Sequence, residues 1–201
     1  MYAPRALHLA SRSLRRRELL KQIGIGFELL LLREAPGRPP DVDECVKSGE
    51  DPVAYVERLA REKAEVAWLR LCQRRLMRHP VLTADTTVEL DGAIIGKPVD
   101  RADAVSMLGR LSGTTHRVHT AIAVILDRRI ESALSSTTVV FGELSEDEIQ
   151  QYVASGEPMD KAGAYAIQGR AGAYVKSLSG SYTGVVGLPL YETDQLLRRF
   201  A

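Results

Sequence analysis

Cysteine is scarce in this chain of 201 residues: Cys45 and Cys72 are the only two, and neither has a CxxC or CxxH partner. That excludes a disulfide framework and a zinc ribbon, and it predicts a reducing, cytoplasmic setting. Long apolar runs are missing too. Leu29 to Leu32, the longest near the start, falls far short of a membrane span, so no membrane partner is expected. The first residues include arginine but no signal-peptide apolar segment before a small-residue cleavage site. Nor is there an excess of one charge. With 27 Lys and Arg against 26 Asp and Glu the net charge is +1, which argues against a nucleic-acid partner held by a general basic field. The phosphate-loop pattern GxxxxGK[ST] is absent, as is a GxGxxG turn between strand and helix. No serine–histidine–acid or cysteine–histidine pairing stands out, so a covalent intermediate is not indicated. His116 and His119, three apart on an expected strand, face opposite sides and do not share a metal.

What is present describes an ordinary globular protein. A hydrophobic share of 45% and a charged share of 26% suit one domain over residues 1–201 with a sizeable core. Leu7 to Ala10 reads as a buried strand, followed by a helix capped by Ser13 and running to about Ile23. Phe27 to Leu32 reads as a second buried strand, and Ala35 to Glu50 as an exposed loop rich in Pro and Asp. A long helix is expected from Pro52 to Met77, then a short strand, Val81 to Ala84, that delivers Asp85 at its C-terminal end. Val88 to Ile95 has the pattern of a hairpin turning at Asp91-Gly92. Beyond it come a helix over Arg101 to Leu111, strands His116 to Leu126 and Arg129 to Phe141, and a helix opened by a Ser145/Glu148 capping box. Asp160 to Leu190 is dense in glycine and reads as loops and short strands, and a last helix spans Pro189 to Arg199. Early alternation of strand and helix followed by a long hairpin predicts a mixed sheet in an α/β fold.

The chemistry concentrates first in Leu9 to Leu20, where an apolar strand meets a hydroxyl-rich turn and a helix begins. Free N–H groups and the positive dipole end at such a helix start favour phosphate. Arg12, Arg15, Arg16 and Arg17 add forked donors at the same place. Cleaving a phosphoanhydride needs charge neutralisation, an oriented water and usually a divalent ion. Arg15, Arg16, Lys63 and Lys97 are candidate phosphate ligands; Glu44 and Asp85 are candidate ligands of magnesium, a hard cation that selects carboxylate oxygen. Asp85 is also a candidate proton acceptor. Each has an ordinary alternative: the arginines as solvated surface, Asp85 as a turn or N-cap residue, Lys63 as one member of a helical ion pair.

These residues carry a resemblance to the Maf family of nucleoside triphosphate pyrophosphatases. The matching segments are LASRSLRRRELL (Leu9–Leu20), DVDE (Asp41–Glu44), LAREKA (Leu59–Ala64), TADTTVELDGAIIGKPVD (Thr83–Asp100) and LSGTTHRVHTAIAV (Leu111–Val124). SGEPMDKAGAYAIQGRAG through VVGLPL (Ser155–Leu190) completes the series, in order, over nearly the whole chain. The resemblance implies an ITPase-like fold with a mixed twisted sheet flanked by helices and two lobes around a central cleft. It implies hydrolysis between the α and β phosphates, releasing a nucleoside monophosphate and pyrophosphate, with Mg2+ or Mn2+ as cofactor. By the same resemblance Asp85 is the proton acceptor, and Ser11, Arg15, Arg16, Glu44, Lys63 and Lys97 are phosphate and metal-site positions. Asp160, Lys161 and Gln168 are polar groups across the cleft.

Arg15, Thr86 and Gln168 together resemble the branch acting on dTTP and UTP, and a glutamine amide offers both a donor and an acceptor to a pyrimidine edge. The family also implies a homodimer. Its association with septum formation leaves a nucleotide-binding cell-division regulator as the alternative from another class, and a modified nucleotide as the alternative substrate. Two positions depart from the family pattern: Leu14 stands where proline is usual and Ala166 where glycine is usual.

Overall fold

The computed structural model describes residues 6–33 and 39–201. The part of the expected proline-rich loop at positions 35–38 lies outside the described residues. The strands are β1 (His8–Leu9), β2 (Glu28–Leu29), β3 (Val81–Leu90), β4 (Ala93–Ile95), β5 (Thr115–Leu126), β6 (Arg129–Phe141) and β7 (Val175–Ser179). The helices are α1 (Leu14–Gln22), α2 (Pro52–Gln73), α3 (Arg101–Leu111), α4 (Glu146–Ala154), α5 (Tyr182–Val186) and α6 (Leu190–Arg198). The sheet runs β2-β1-β3-β5-β6-β7, with β4 also on β3. β1 is parallel to β2 and β3, and the remaining pairs are antiparallel, so the sheet is mixed as the pattern predicts.

Alternation along the central strands sends their side chains to two faces. Val81, Ala121, Ala123 and Ile125 pack with Val56, Ala60, Ala64, Ala67 and Leu71 of α2. Their neighbours Leu82, Ala84, Ile122 and Val124 point the other way, onto Leu19 and Leu20 of α1 and Leu196 and Leu197 of α6. Farther along that second face Val88, Leu90 and Val118 meet Leu108 of α3 and Tyr152 of α4. The three alanines of α2 let that helix lie close to the sheet, which brings its polar residue Lys63 up to the strands.

Four expectations need correction. β3 does not stop at Ala84; the β-branched Thr86, Thr87 and Val88 carry it on to Leu90, so Asp85 lies inside the strand. It is accessible because of the neighbours instead: β1 pairs only with Val81 and Leu82, β4 only with Val88 to Leu90, and no described strand lies along Thr83–Thr87 on that side. The expected strand Phe27 to Leu32 shrinks to Glu28–Leu29, both exposed, because its two-residue partner offers no more backbone. α2 ends at Gln73 rather than Met77, because Arg75 takes a left-handed φ of 54°. The N–H groups of Arg75 and Leu76 then bond back to the carbonyls of Cys72 and Leu71, a Schellman stop made without glycine. Finally, the glycine-rich stretch contains the short helix α5 where only loops and strands were expected.

Candidate active site

The unpaired edge of β3 opens into a cleft of about 690 Å3 that receives residues from nine chain segments. Ser11, Arg15, Arg16, Glu44, Lys63, Asp85, Thr86, Lys97, Asp160, Lys161 and Gln168 all line it, so the structure brings every sequence-predicted site residue together.

Lys63 is the hub of one wall. Its ammonium lies 2.6 Å from Glu44 Oε1 and 2.7 Å from Asp85 Oδ1, and Lys97 Nζ stands 3.8 Å from Glu44 Oε2. Burial disfavours charge on Lys63, but Asp85 and Glu44 outweigh it and raise its pKa above the ordinary lysine value. The stabilisation from its ion pairs is therefore complete below the ordinary lysine pKa and is lost only as pH rises through the still higher folded value. Burial likewise pushes Glu44 up, and Lys63, Lys97 and Arg16 override it, leaving the carboxyl below its usual range. Both acids are thus ion-paired, yet Asp85 Oδ2 has no hydrogen-bond partner among the described residues.

Glu44 sits on a segment without regular structure, and several groups hold it there. Tyr55 Oη donates to the Glu44 carbonyl at 2.9 Å, and Arg58 Nη2 donates to the Cys45 carbonyl at 3.1 Å. Burial, reinforced by Asp85 and Glu44, pushes the Tyr55 phenol up to about 12, so it remains a donor at neutral pH. Before Glu44, Asp41 receives Arg70 and the Arg33 N–H, which hold its carboxyl down at about 2.

On the other face of β3, Ser13 caps α1 by accepting from the Arg16 N–H at 3.4 Å. The two arginines that follow differ in mobility. Arg16 donates from Nε to the Gly187 carbonyl (2.7 Å), from Nη1 to Ser11 Oγ (3.3 Å) and from Nη2 to Thr86 Oγ1 (3.2 Å). A guanidinium has five N–H groups, so one remains free on each terminal nitrogen. Burial lowers the Arg16 pKa, Asp85 and Glu44 oppose that, and Arg15 adds to it. The Arg15 side chain has no hydrogen bond or ion pair among the described residues, and Arg15 lines the cleft. Ser11 Oγ accepts from both Arg16 and the Ser13 N–H, so its own hydrogen is left to donate. This wall gathers positive charge, free donors and a helix N-terminus at one place, an arrangement suited to an anion.

The far wall is built by packing. Val88, Val118, Tyr165, Ile167 and Val185 make an apolar floor beside Asp160, Lys161 and Gln168. A Cβ on Gly163, whose φ is 69°, would lie 2.8 Å from Val88 Cγ2, so only glycine lets this segment close onto β3. The Gly163 N–H then donates to the Gly96 carbonyl, next to Lys97. The buried Tyr152 hydroxyl donates to Glu157 (2.9 Å) and accepts from the Ala166 N–H (3.2 Å), holding the chain ahead of Gln168.

The Maf-like protein family model matches residues 6–200. The chain belongs to the Maf-like protein family. It is 57% identical over 193 residues to a protein of Dechloromonas aromatica named dTTP/UTP pyrophosphatase, covering 96% of each chain. A protein of the same name from Nitrosomonas europaea is 56% identical, over 97% of this chain and 94% of its own. The structure of the Staphylococcus aureus Ham1 protein matches with a TM-score of 0.52 and 17% identity, over 98% of this chain and 97% of that one. That likeness is one of fold and places the mixed sheet in the ITPase-like class.

Several groups that shape this Maf-like cleft carry no signal in the sequence. Thr120 is a buried strand threonine, Tyr55 an ordinary helix residue, and Gly187 contributes only a carbonyl. Of the two departures, Ala166 is not among the residues with positive φ, so no glycine is required there. Leu14 is the first residue of α1 and 67% exposed, and its N–H enters no hydrogen bond among the described residues. Ser13, at φ −58° and ψ 117°, already has the extended conformation that a following proline demands. Leu14→Pro is therefore expected to stabilise the fold by about 0.4–1 kcal/mol, read as a higher urea midpoint. A lower midpoint would show that the turn does not have the backbone described.

Tyr165 is held from behind by His116, whose Nε2 lies 2.8 Å from its hydroxyl while the buried Nδ1 has no partner. Burial pushes the His116 pKa down to about 4. The unfolded chain then binds a proton that the folded chain refuses, so stability is full above about pH 6.5 and declines as pH falls towards 4. The loss amounts to roughly 3 kcal/mol over that interval. His116→Phe should flatten the stability–pH curve between those values; an unchanged slope would remove His116 as its cause.

Proposed function

We propose that this Maf-like protein hydrolyses dTTP and UTP between the α and β phosphates, releasing the nucleoside monophosphate and pyrophosphate. The observation that carries this reading is the convergence of Arg15, Arg16, Lys63, Lys97, Glu44 and Asp85 on one cleft. The name dTTP/UTP pyrophosphatase borne by relatives 56–57% identical to it supports the choice of substrate.

In this mechanism the two free N–H groups of Arg16, the fork of Arg15 and the Ser11 hydroxyl receive phosphate oxygens. Lys97, exposed at the cleft mouth, neutralises the departing pyrophosphate. Asp85 keeps Oδ1 on Lys63 and presents Oδ2 to the attacking water, taking its proton as the oxygen approaches the α-phosphorus. Lys63 stays cationic at neutral pH, so it orients both carboxylates and does not act as the base. On the far wall the Gln168 amide faces the pyrimidine edge with a donor and an acceptor.

A divalent cation fits the donor set. Among the described residues there is no cluster of three or more His, Cys, Asp or Glu side chains to build a protein cage. Glu44 Oε2, and Asp85 Oδ2 through a lone pair other than the one that takes the water's proton, would supply the one or two carboxylates that Mg2+ takes beside substrate phosphates and water. When bound there, Mg2+ or Mn2+ would supply charge neutralisation on the phosphate oxygens. Limiting the incorporation of non-standard nucleotides is the cellular role we attach to this activity.

The reading is tested with a panel of dTTP, UTP, CTP, dATP and GTP, scored by pyrophosphate release with and without EDTA. dTTP and UTP should lead, and EDTA should abolish release. Asp85→Asn should lower kcat by about 10²–10⁴-fold while the nucleotide still binds. Equal turnover of the purines would overturn the substrate assignment, and near-normal turnover by Asp85→Asn would overturn the mechanism.

A further inference from the structure

We infer that Thr120, a fully buried residue outside the cleft, is a positioning residue that fixes Arg16 through Thr86, and that Thr86 serves Arg16 rather than the nucleobase. The inference rests on the anion-binding role proposed for Arg16.

The assignment follows from counting hydrogens. Thr120 Oγ1 lies 2.8 Å from the Gly184 carbonyl, which has no hydrogen to give, so Thr120 spends its single hydroxyl hydrogen there. The 2.9 Å contact between Thr86 Oγ1 and Thr120 Oγ1 must then use the hydrogen of Thr86. With that hydrogen committed, Thr86 meets Arg16 Nη2 at 3.2 Å as an acceptor. The donors run one way, from Arg16 to Thr86 to Thr120 to Gly184, and each bond polarises the next. Thr86 has no hydrogen left to donate to a base carbonyl.

The far end of this chain is anchored. Gly184 belongs to α5, and a Cβ on it would stand 3.0 Å from Ser135 Oγ, the residue paired with Thr120 across β5 and β6. Glycine therefore allows α5 to lie close enough to the sheet for Thr120 to reach its carbonyl. The same helix end offers the Gly187 carbonyl to Arg16 Nε. The guanidinium is thus held on one side through the sheet and on another by the chain that follows α5, leaving its free N–H groups in one orientation.

Thr120→Val removes the hydroxyl and keeps the shape, and Thr120→Ser keeps the hydroxyl. Thr120→Val should weaken binding of inorganic tripolyphosphate about tenfold and lower kcat/KM for dTTP by a similar factor, as expected for loosening one charge-assisted contact. Thr120→Ser should recover to within about threefold of wild type on the same scale. In an Arg16→Met background Thr120→Val should add nothing, because its effect passes through that guanidinium. The ratio of kcat/KM for dTTP to that for GTP should stay constant. Urea unfolding run alongside separates a structural role, which lowers the midpoint but leaves tripolyphosphate affinity intact. That pattern, or a full Thr120→Val effect in the Arg16→Met background, would overturn the inference, and a changed dTTP-to-GTP ratio would overturn the assignment of Thr86. Tripolyphosphate affinity reads the positioning role even if the nucleotide panel rejects the substrate, so the two failures are distinguishable.

Discussion

β1 lies beside β3 at only Val81 and Leu82, and β4 rejoins the same edge only from Val88. The strand between them has a full partner in β5 on one side and none among the described residues on the other, which suspends the usual separation of sheet faces. Asp85 and Thr86 point to opposite faces, yet both reach the cleft because it wraps around their common edge. Asp85 meets α2 through Lys63, and Thr86 meets α1 through Arg16. A single unpaired stretch thereby connects two helices that the sheet otherwise keeps apart. It also exposes backbone that edge pairing with another chain could exploit, and the charged cleft built over it is the kind of cover that prevents this.

Charge balance governs what that edge can hold. Lys63 neutralises half of a two-carboxylate pair, and Lys97 lies near the remaining oxygen of Glu44. Across the strand two adjacent arginines crowd a helix N-terminus whose dipole disfavours them. That arrangement is unfavourable in isolation and becomes favourable once an anion sits between the guanidinium groups and the free N–H groups. The acidic and basic halves face each other over β3, and a polyphosphate with a hard cation has the complementary alternation of charge. Tyr55 and Arg58 support this balance by gripping the backbone on either side of the Glu44–Cys45 bond, so the acid is held without a regular element beneath it.

The groups legible in the sequence were those whose type is costly to place without a reason. Arginines at a helix start, Lys63 on the long helix and Asp85 after an apolar strand together point to one phosphate site; Arg12, Arg15, Arg16, Lys63 and Asp85 line the cleft, while Arg17 bonds back to the Arg12 carbonyl. The mixed sheet follows from early alternation of strand and helix ahead of a long hairpin, and the capping box from Ser145 and Glu148, which bond reciprocally. What could not be read depended on partners distant in sequence. The end of β3 was misplaced because Asp85 looks like a strand terminator when the gap beside it is invisible. The end of α2 was misplaced because its left-handed stop is an arginine, where glycine or asparagine is the usual signal. Thr120 is indistinguishable from any buried strand threonine until Gly184 and Thr86 are both beside it.

The two walls of the cleft are preorganised by different physics, with consequences for what each discriminates. On the phosphate wall most groups are held by charge and hydrogen bonds, and Arg15 alone among its cations has no contact to break before meeting an anion. Under the proposed function such a wall would take any triphosphate, because phosphate oxygens are the same on every nucleotide. The base wall is held by packing and backbone geometry: left-handed Asp160, Gly163 and Ala164, the Val88 contact at Gly163, and the Tyr152 hydroxyl on the Ala166 N–H. Its shape is therefore fixed by the fold itself, and under that function the Gln168 amide would have little freedom of backbone to reach a ring of another size. Under the proposed function, discrimination between bases would belong to this wall and the rate of phosphoanhydride cleavage to the other.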